Sequence, residues 1–198
     1  MVPPGAFTAR STRSRWRNVL QPFRPLLLSW SQKSELGTLT GVDQVASPPV
    51  LTGQSLFCGL YLNELLMRLL HRGDPHAALF ERYRQVLSDL ASLGPPQPLL
   101  RVFEKHLLEA TGYAMVLDRE YREGAKVKPQ NWYKYRPDRG PVLCSGPGNG
   151  RVSGKALLAL HTERLQQENL LELRELMRAV IGYHLGSKPL ASLHLFTA

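Results

Sequence analysis

Leu56-Phe57-Cys58-Gly59-Leu60-Tyr61-Leu62-Asn63-Glu64-Leu65-Leu66-Met67-Arg68-Leu69-Leu70 is the stretch that decides the fold. Leu56, Leu60, Leu62, Leu65, Leu66, Leu69 and Leu70 recur at the helical period on a broad apolar face, which predicts a helix over 54–71 stopped by Gly73. Asp74-Pro75 reads as an N-cap followed by a first-turn proline. It opens a second helix through Leu90, with Leu79, Phe80, Tyr83, Val86, Leu87 and Leu90 inward. Gly94-Pro95-Pro96 breaks that pattern. A third helix over 98–111 turns Leu99, Leu100, Phe103, Leu107 and Leu108 inward, and Gly112 stops it. Three sequential helices on short connectors predict a compact bundle.

On the N-terminal side the period falls to two. Leu26-Leu27-Leu28 to Trp30, a polar turn at Gln32-Lys33-Ser34, and Glu35 to Thr40 read as two strands of a small β unit. Pro48, Pro49 and Gly53 mark its boundary with the helices. On the C-terminal side, residues 118–150 mix prolines, glycines and charge, with Trp132-Tyr133-Lys134-Tyr135-Arg136 alternating as an exposed strand. Ser153 then caps a short helix to Leu160, and Leu170–Leu185 forms a last helix ahead of Gly186. The pattern is α+β.

Composition sets the bounds. In 198 residues, 43% hydrophobic content is enough for a core, so wholesale disorder is excluded. No apolar run approaches the ~20 residues of a spanning helix, so no membrane partner is expected. Two cysteines, Cys58 and Cys144, make neither a disulfide framework nor a four-ligand zinc site, and suit a reducing compartment. The formal charge of +9 points to a polyanion. That charge is packed into two blocks. Residues 1–34 hold six basic and no acidic side chains, and residues 119–155 hold nine basic against three acidic. The helical stretch between them, 51–118, is near neutral with six and seven. The acid-free run from Ala6 to Arg17 also has the composition of an organellar leader, although Pro3, Pro4, Pro22 and Pro25 leave little room for its amphipathic helix.

Catalytic patterns fail on inspection. Asn149 to Ala156 approaches a phosphate-binding loop but has Asn149 for the first glycine and Ala156 for the magnesium-binding hydroxyl. The histidines lack H-E-x-x-H spacing, neither cysteine has a C-x-x-C partner, and no G-x-S-x-G elbow occurs. Glu172 and Glu175 beside Arg174 and Arg178 read as a solvated ion-paired face. No catalytic residue, metal ligand or cofactor is expected.

Nucleic-acid signals are stronger. Arg10, Arg13, Arg15 and Arg17 are interleaved with short hydroxyl side chains and Trp16, a pattern for bidentate phosphate contacts and base stacking. The alternative is a solvated basic loop with Trp16 packed into the β unit. Along 132–136, alternation puts Lys134 and Arg136 on one face and Tyr133 and Tyr135 on the other. The cations then face phosphate, or belong to a charged strand edge.

Ala9-Arg10-Ser11, Arg13-Ser14, Leu20-Gln21-Pro22-Phe23 and Pro25-Leu26-Leu27-Leu28 resemble the bacterial recombination mediators of the RecO family. So do Gly59-Leu60-Tyr61-Leu62-Asn63-Glu64, Arg101-Val102-Phe103-Glu104, Gly112-Tyr113 and Gly186-Ser187-Lys188-Pro189-Leu190, in order and spacing over nearly the whole chain. The resemblance implies an N-terminal OB-fold barrel, here a remnant over 1–50 short of roughly thirty residues, or two to three strands. A helical domain over 51–198 follows, with a zinc-finger-like insertion at 118–150 that keeps only Cys144 of the four family cysteines. It implies a non-enzymatic, cytoplasmic, nucleoid-associated mediator of DNA repair and recombination that binds single- and double-stranded DNA and anneals strands. Its implied partners are RecR, the C-terminal tail of single-stranded-DNA-binding protein and, indirectly, RecA. Arg10, Arg13 and Arg17 fall on basic barrel positions, and Arg101 on the arginine expected to meet the acidic tail. If the shortened barrel has lost DNA binding, a helical protein-interaction module is left.

Overall fold

The computed structural model of the chain describes residues 16–32, 37–71, 73–92, 94–122, 124–186 and 189–196. Among the described residues, five α-helices and two small antiparallel sheets make an α+β arrangement. Strands β1 (Leu26–Gln32) and β2 (Gly37–Gln44) pair as a hairpin whose register shifts between Ser29 and Trp30, with Leu39 and Val42 on its buried side. Of the predicted turn at Gln32-Lys33-Ser34, Gln32 ends β1 and the other two residues lie outside the described residues, as do Glu35 and Leu36 of the predicted second strand. Among the described residues no third strand joins this hairpin.

Helix α1 (Gly53–Leu69) starts where the Thr52 N–H donates to Ser55 Oγ at 3.1 Å, and buries Cys58, Tyr61, Leu62, Leu65 and Leu69. Gly59 belongs to the same face for a different reason. A Cβ there would stand 2.8 Å from Leu51 Cδ1 and 2.9 Å from Phe23 Cε1. The absent side chain is the seat for the Phe23 ring, whose residue holds a φ of 65°. A non-glycine in that region costs about 1 kcal/mol or more. Packing against α1 therefore fixes the segment that leads into β1.

Helices α2 (Ala77–Ala91) and α3 (Pro96–Ala110) pack on α1 and on each other. Both starts differ from expectation. The Phe80 N–H bonds the His76 carbonyl at 2.9 Å, so α2 opens at Ala77 and Asp74-Pro75 forms its lead-in. α3 accepts both Pro96 and Pro98 in its first turn, where the missing N–H groups have no intrahelical partner to lose. α4 (Gly154–His161) starts on Ser153 as predicted, the Ala156 N–H donating to its Oγ at 3.1 Å, and α5 (Leu170–Leu185) matches its predicted bounds.

Tail residues close over α1. Glu64 Oε1 accepts the Ala191 N–H at 2.8 Å, and Oε2 accepts the Ser192 N–H at 2.8 Å and hydroxyl at 2.5 Å. Arg68 donates to the Pro189 carbonyl at 2.9 Å. Leu190 and Ser192 are buried beneath this clamp.

The second sheet has the order β4-β3-β5, with β3 (Trp132–Arg136) between β4 (Gly140–Cys144) and β5 (Val152–Ser153). The aromatic alternation is therefore a central strand and not an exposed one, because β4 and β5 pair with its two sides. Leu117, Val127, Tyr133 and Val152 from this lobe join the same core as the helices.

Candidate functional site

Strand β3 and the loop before it carry a cluster of exposed positive charge. Tyr133 is fully buried and Tyr135 half-buried, while Lys134 and Arg136 face solvent. Lys134 sits opposite Val142 and Arg136 opposite Gly140, so β4 offers no carboxylate beside either cation. Arg139, in the β3–β4 turn, lies 5.3 Å from the centre of the Tyr121 ring, a cation–π contact that leaves it exposed. Arg119, Arg122, Lys126 and Lys128 from the preceding loop are exposed as well. Arg119 pairs with Asp118 at 3.5 Å and Arg139 with Asp138 at 3.1 Å; both pairs are solvent-exposed and hold little energy. Among the described residues no carboxylate lies within ion-pairing distance of Lys126, Lys128, Lys134 or Arg136.

The lobe is held in place from beneath. Tyr133 accepts the Lys128 N–H on its hydroxyl at 2.9 Å, and its ring fills the space beside Gly154. The Gly154 N–H donates to the Asn131 carbonyl at 2.8 Å, and the Lys155 N–H to the Pro129 carbonyl at 3.1 Å. A Cβ on Gly154 would stand 2.0 Å from the Lys128 oxygen. Gly154-Lys155, which gave the sequence its likeness to a phosphate loop, thus serves close packing, and Lys155 pairs with Glu168. Glu172 accepts the Ser153 N–H at 2.7 Å, a structural contact in place of the expected ion pair. These bonds make β3 a stiff platform whose outward side chains are cations.

The other predicted site residues fall elsewhere. Trp16 is half-buried and its carbonyl accepts the Val19 and Leu20 N–H groups; Arg17 beside it is exposed. Arg10, Arg13 and Arg15 lie outside the described residues. Cys144 is half-buried, its thiol 3.6 Å from the Val142 carbonyl. Among the described residues no three His, Cys, Asp or Glu side chains converge as metal ligands would, and no helix is long and apolar enough to cross a membrane.

Arg101 is placed where an incoming ligand does not meet it. Its side chain is 6% exposed and donates through Nη2 to Glu104 Oε1 at 2.6 Å. The Tyr61 hydroxyl donates to the same oxygen at 2.8 Å. Burial pushes the Glu104 carboxyl up, opposed by Arg101 and by the Tyr61 hydroxyl. Burial likewise raises Tyr61, helped by the Glu104 charge. The Arg101–Glu104–Tyr61 trio is an interior network between α1 and α3, and the guanidinium already has its carboxylate.

A cleft of about 590 Å³ opens between α2, α3 and the α4–α5 connection. Val86, Pro98, Leu99, Val102, Phe103 and Leu165 form an apolar lining, and Arg82 and Arg164 supply exposed cations. At one wall Glu163 Oε1 lies 2.6 Å from Lys105 Nζ and 2.8 Å from His106 Nε2. Burial alone would raise the Glu163 carboxyl; the Lys105 hydrogen bond and the charges of His106, Lys105 and Arg82 hold it below its ordinary range. Sequence reading missed this site, because Arg82 and Arg164 are far apart in the chain and only folding brings them to one opening.

A family profile described as the C-terminal part of recombination protein O matches residues 51–194. A DNA repair protein RecO from Nitrosospira multiformis is 44% identical over 186 residues, which is 92% of this chain and 77% of that protein. One from Coxiella burnetii is 43% identical over 192 residues, covering 96% and 83%. One from Nitrosococcus oceani is 43% identical over 178 residues, covering 88% and 72%.

Proposed function

This chain belongs to the RecO family of DNA repair proteins, and on that premise we propose that it works in DNA repair and recombination as a non-enzymatic, DNA-binding mediator. It binds single- and double-stranded DNA through the β3 lobe, with Trp16, Arg17 and the arginines at 10, 13 and 15 extending the contact. With RecR it anneals strands and helps RecA load onto strands coated by single-stranded-DNA-binding protein. In this proposal residues 1–50 belong to an OB-fold, 51–198 to the helical domain and 118–150 to its zinc-finger-like insertion, and the protein acts in the bacterial cytoplasm.

The observation that carries the proposal is the outward row of Lys134 and Arg136, with Arg139 at its end, on a strand whose tyrosines are locked inward. Arginine forks and lysine point charges engage phosphate oxygens without selecting sequence, which suits a mediator acting on any gap. Single-strand binding releases counterions, so the affinity should fall with salt by about 0.7 log units per log unit of salt for each phosphate engaged. With Lys126, Lys128, Lys134, Arg136 and Arg139 engaged, a rise from 50 to 200 mM salt weakens binding by roughly a hundredfold. Fluorescence anisotropy of a labelled oligothymidine across that range tests this. Flat affinity would refute it and leave the helical interaction module.

The cleft favours a protein partner beside DNA. In place of Arg101, Arg82 and Arg164 at its mouth receive the acidic tail of single-stranded-DNA-binding protein, and the apolar lining takes that tail's apolar residues. Loss of tail-peptide binding on Arg82→Ala and Arg164→Ala, with Lys134 and Arg136 variants unaffected, is the expected pattern.

A further inference from the structure

Glu163 stands at the wall of the cleft, on the residue that follows the C-cap of α4. It is a non-glycine residue with a φ of 58°, in the loop after α4, where the Arg164 N–H bonds back to the Ala159 carbonyl at 2.9 Å. That back-bond is the helix-stop pattern that favours glycine in the left-handed region, so a glutamate here carries a backbone cost. Its carboxylate meets a seat built by α3. Lys105 Nζ and His106 Nε2 converge on one oxygen, Glu163 Oε1, at 2.6 and 2.8 Å. Lys105 is further aimed by the Leu160 and His161 carbonyls at 3.4 and 3.2 Å, and His106 by Glu109 Oε2, 3.2 Å from its Nδ1. Both seat residues have low side-chain exposure, 17% for Lys105 and 11% for His106. Glu163, at 35%, faces the opening.

We propose that Lys105 and His106 form a second carboxylate-binding site of the cleft, filled in cis by Glu163, so that Glu163 is an internal competitor that sets the cleft's affinity for acidic peptides. This rests on the assignment of the cleft to an acidic protein tail. Arg82 and Arg164 at the mouth are open to the first carboxylate of such a ligand, while the inner seat is closed by the chain's own. Occupation of the seat requires the loop at 162–166 to swing its carboxylate out, which relaxes the left-handed backbone at Glu163 and exchanges one ion pair for another. The exchange keeps Lys105 paired throughout, so a partner is admitted without leaving that low-exposure cation uncompensated. The protein thus binds acidic tails weakly enough to release them, an advantage for a factor that meets and leaves coated DNA.

The test uses the full chain and a labelled acidic peptide with a free C-terminal carboxylate, read by anisotropy at low salt. Glu163→Gln removes the competing charge, and Glu163→Gly removes both the charge and the strained backbone, so the second variant guards against a folding defect in the first. Both should bind the peptide about three- to tenfold more tightly than the unchanged protein, the size of one partly buried ion pair no longer displaced. Adding Lys105→Ala to Glu163→Gln should cancel that gain. Unchanged or weaker binding by both Glu163 variants, with Arg82→Ala still weakening it, would overturn the competitor and leave the cleft assignment standing. Peptide binding absent from every form, or indifferent to Arg82 and Arg164, would overturn both.

Discussion

Replacing Arg101 separates an interior ion pair from a surface docking residue. In Arg101→Met the apolar stem is kept and the charge removed, leaving Glu104 fully buried with only the Tyr61 hydroxyl, 2.8 Å from Oε1, as partner. Breaking a buried pair from one side costs about 3–5 kcal/mol. For a chain of this size each kcal/mol moves the melting midpoint by about 2–4 °C, so a loss of about 6–20 °C is expected at pH 7. Acidity changes the deficit in a defined direction. Burial already holds the folded Glu104 pKa above its ordinary value, and Arg101 opposes that rise. A carboxyl raised on folding stabilises the protein below its unfolded pKa and loses that contribution as pH rises through the folded value. Without Arg101 the folded value rises further, so the variant's deficit should be smaller at pH 5 than at pH 7.5. Converting the trio together, as Arg101→Met with Glu104→Leu and Tyr61→Phe, should recover most of the loss, because well-packed apolar groups of similar volume replace buried ions at little cost. Thermal unfolding followed by circular dichroism at the two pH values is the assay. A single variant melting within about 2 °C of the unchanged protein at both would show the guanidinium to be solvated and refute the reasoning.

Gly154→Ala drives a Cβ to 2.0 Å from the Lys128 oxygen, so backbone must move; unfolding should show a loss of about 1–3 kcal/mol or more, and DNA affinity should fall with it because the same bonds hold β3. In the tail clamp, burial opposes ionisation of Glu64 but the Ser192 hydroxyl, the Ser192 and Ala191 N–H groups and Arg68 outweigh it, so its pKa is lowered on folding. Its contribution is present above the ordinary carboxylate range and lost as pH falls through the lowered value. Glu64→Gln should cost about 1–2 kcal/mol at pH 7 and converge on the unchanged protein in acid, as urea titrations would show. Burial pushes the Cys58 thiol up to about 11, so a thiol reagent at pH 8 should modify Cys144 alone until the protein unfolds.

Much of the fold was legible in the chain because its helices are long and strongly periodic. α5 and the Ser153 cap of α4 came out at their true positions, each marked by both an apolar stripe and a stop or cap residue. The start of α2 did not, because Asp74-Pro75 has the chemistry of a helix start while the first helical bond is made from His76. β4 and β5 escaped because Gly140-Pro141 and a two-residue strand have no period to detect. Lys134 and Arg136 were readable as an outward pair from alternation alone; that β3 is central required its partners. Arg101 was singled out only by the family resemblance, and its burial was not legible because it depends on Glu104 one turn later and on Tyr61 of another helix. The cleft had no local signature, since its cations and floor come from α2, α3 and the loop after α4.

The most direct test removes the two outward cations of β3 and asks for the salt slope instead of a bare affinity. With Lys134→Ala and Arg136→Ala combined, melting should be unchanged, since both side chains are exposed and neither carries a carboxylate. The dependence of log affinity for single-stranded DNA on log salt should become shallower by about 1.4, two phosphate contacts' worth. An unchanged slope in a folded double variant would contradict the assignment of β3 as the nucleic-acid face.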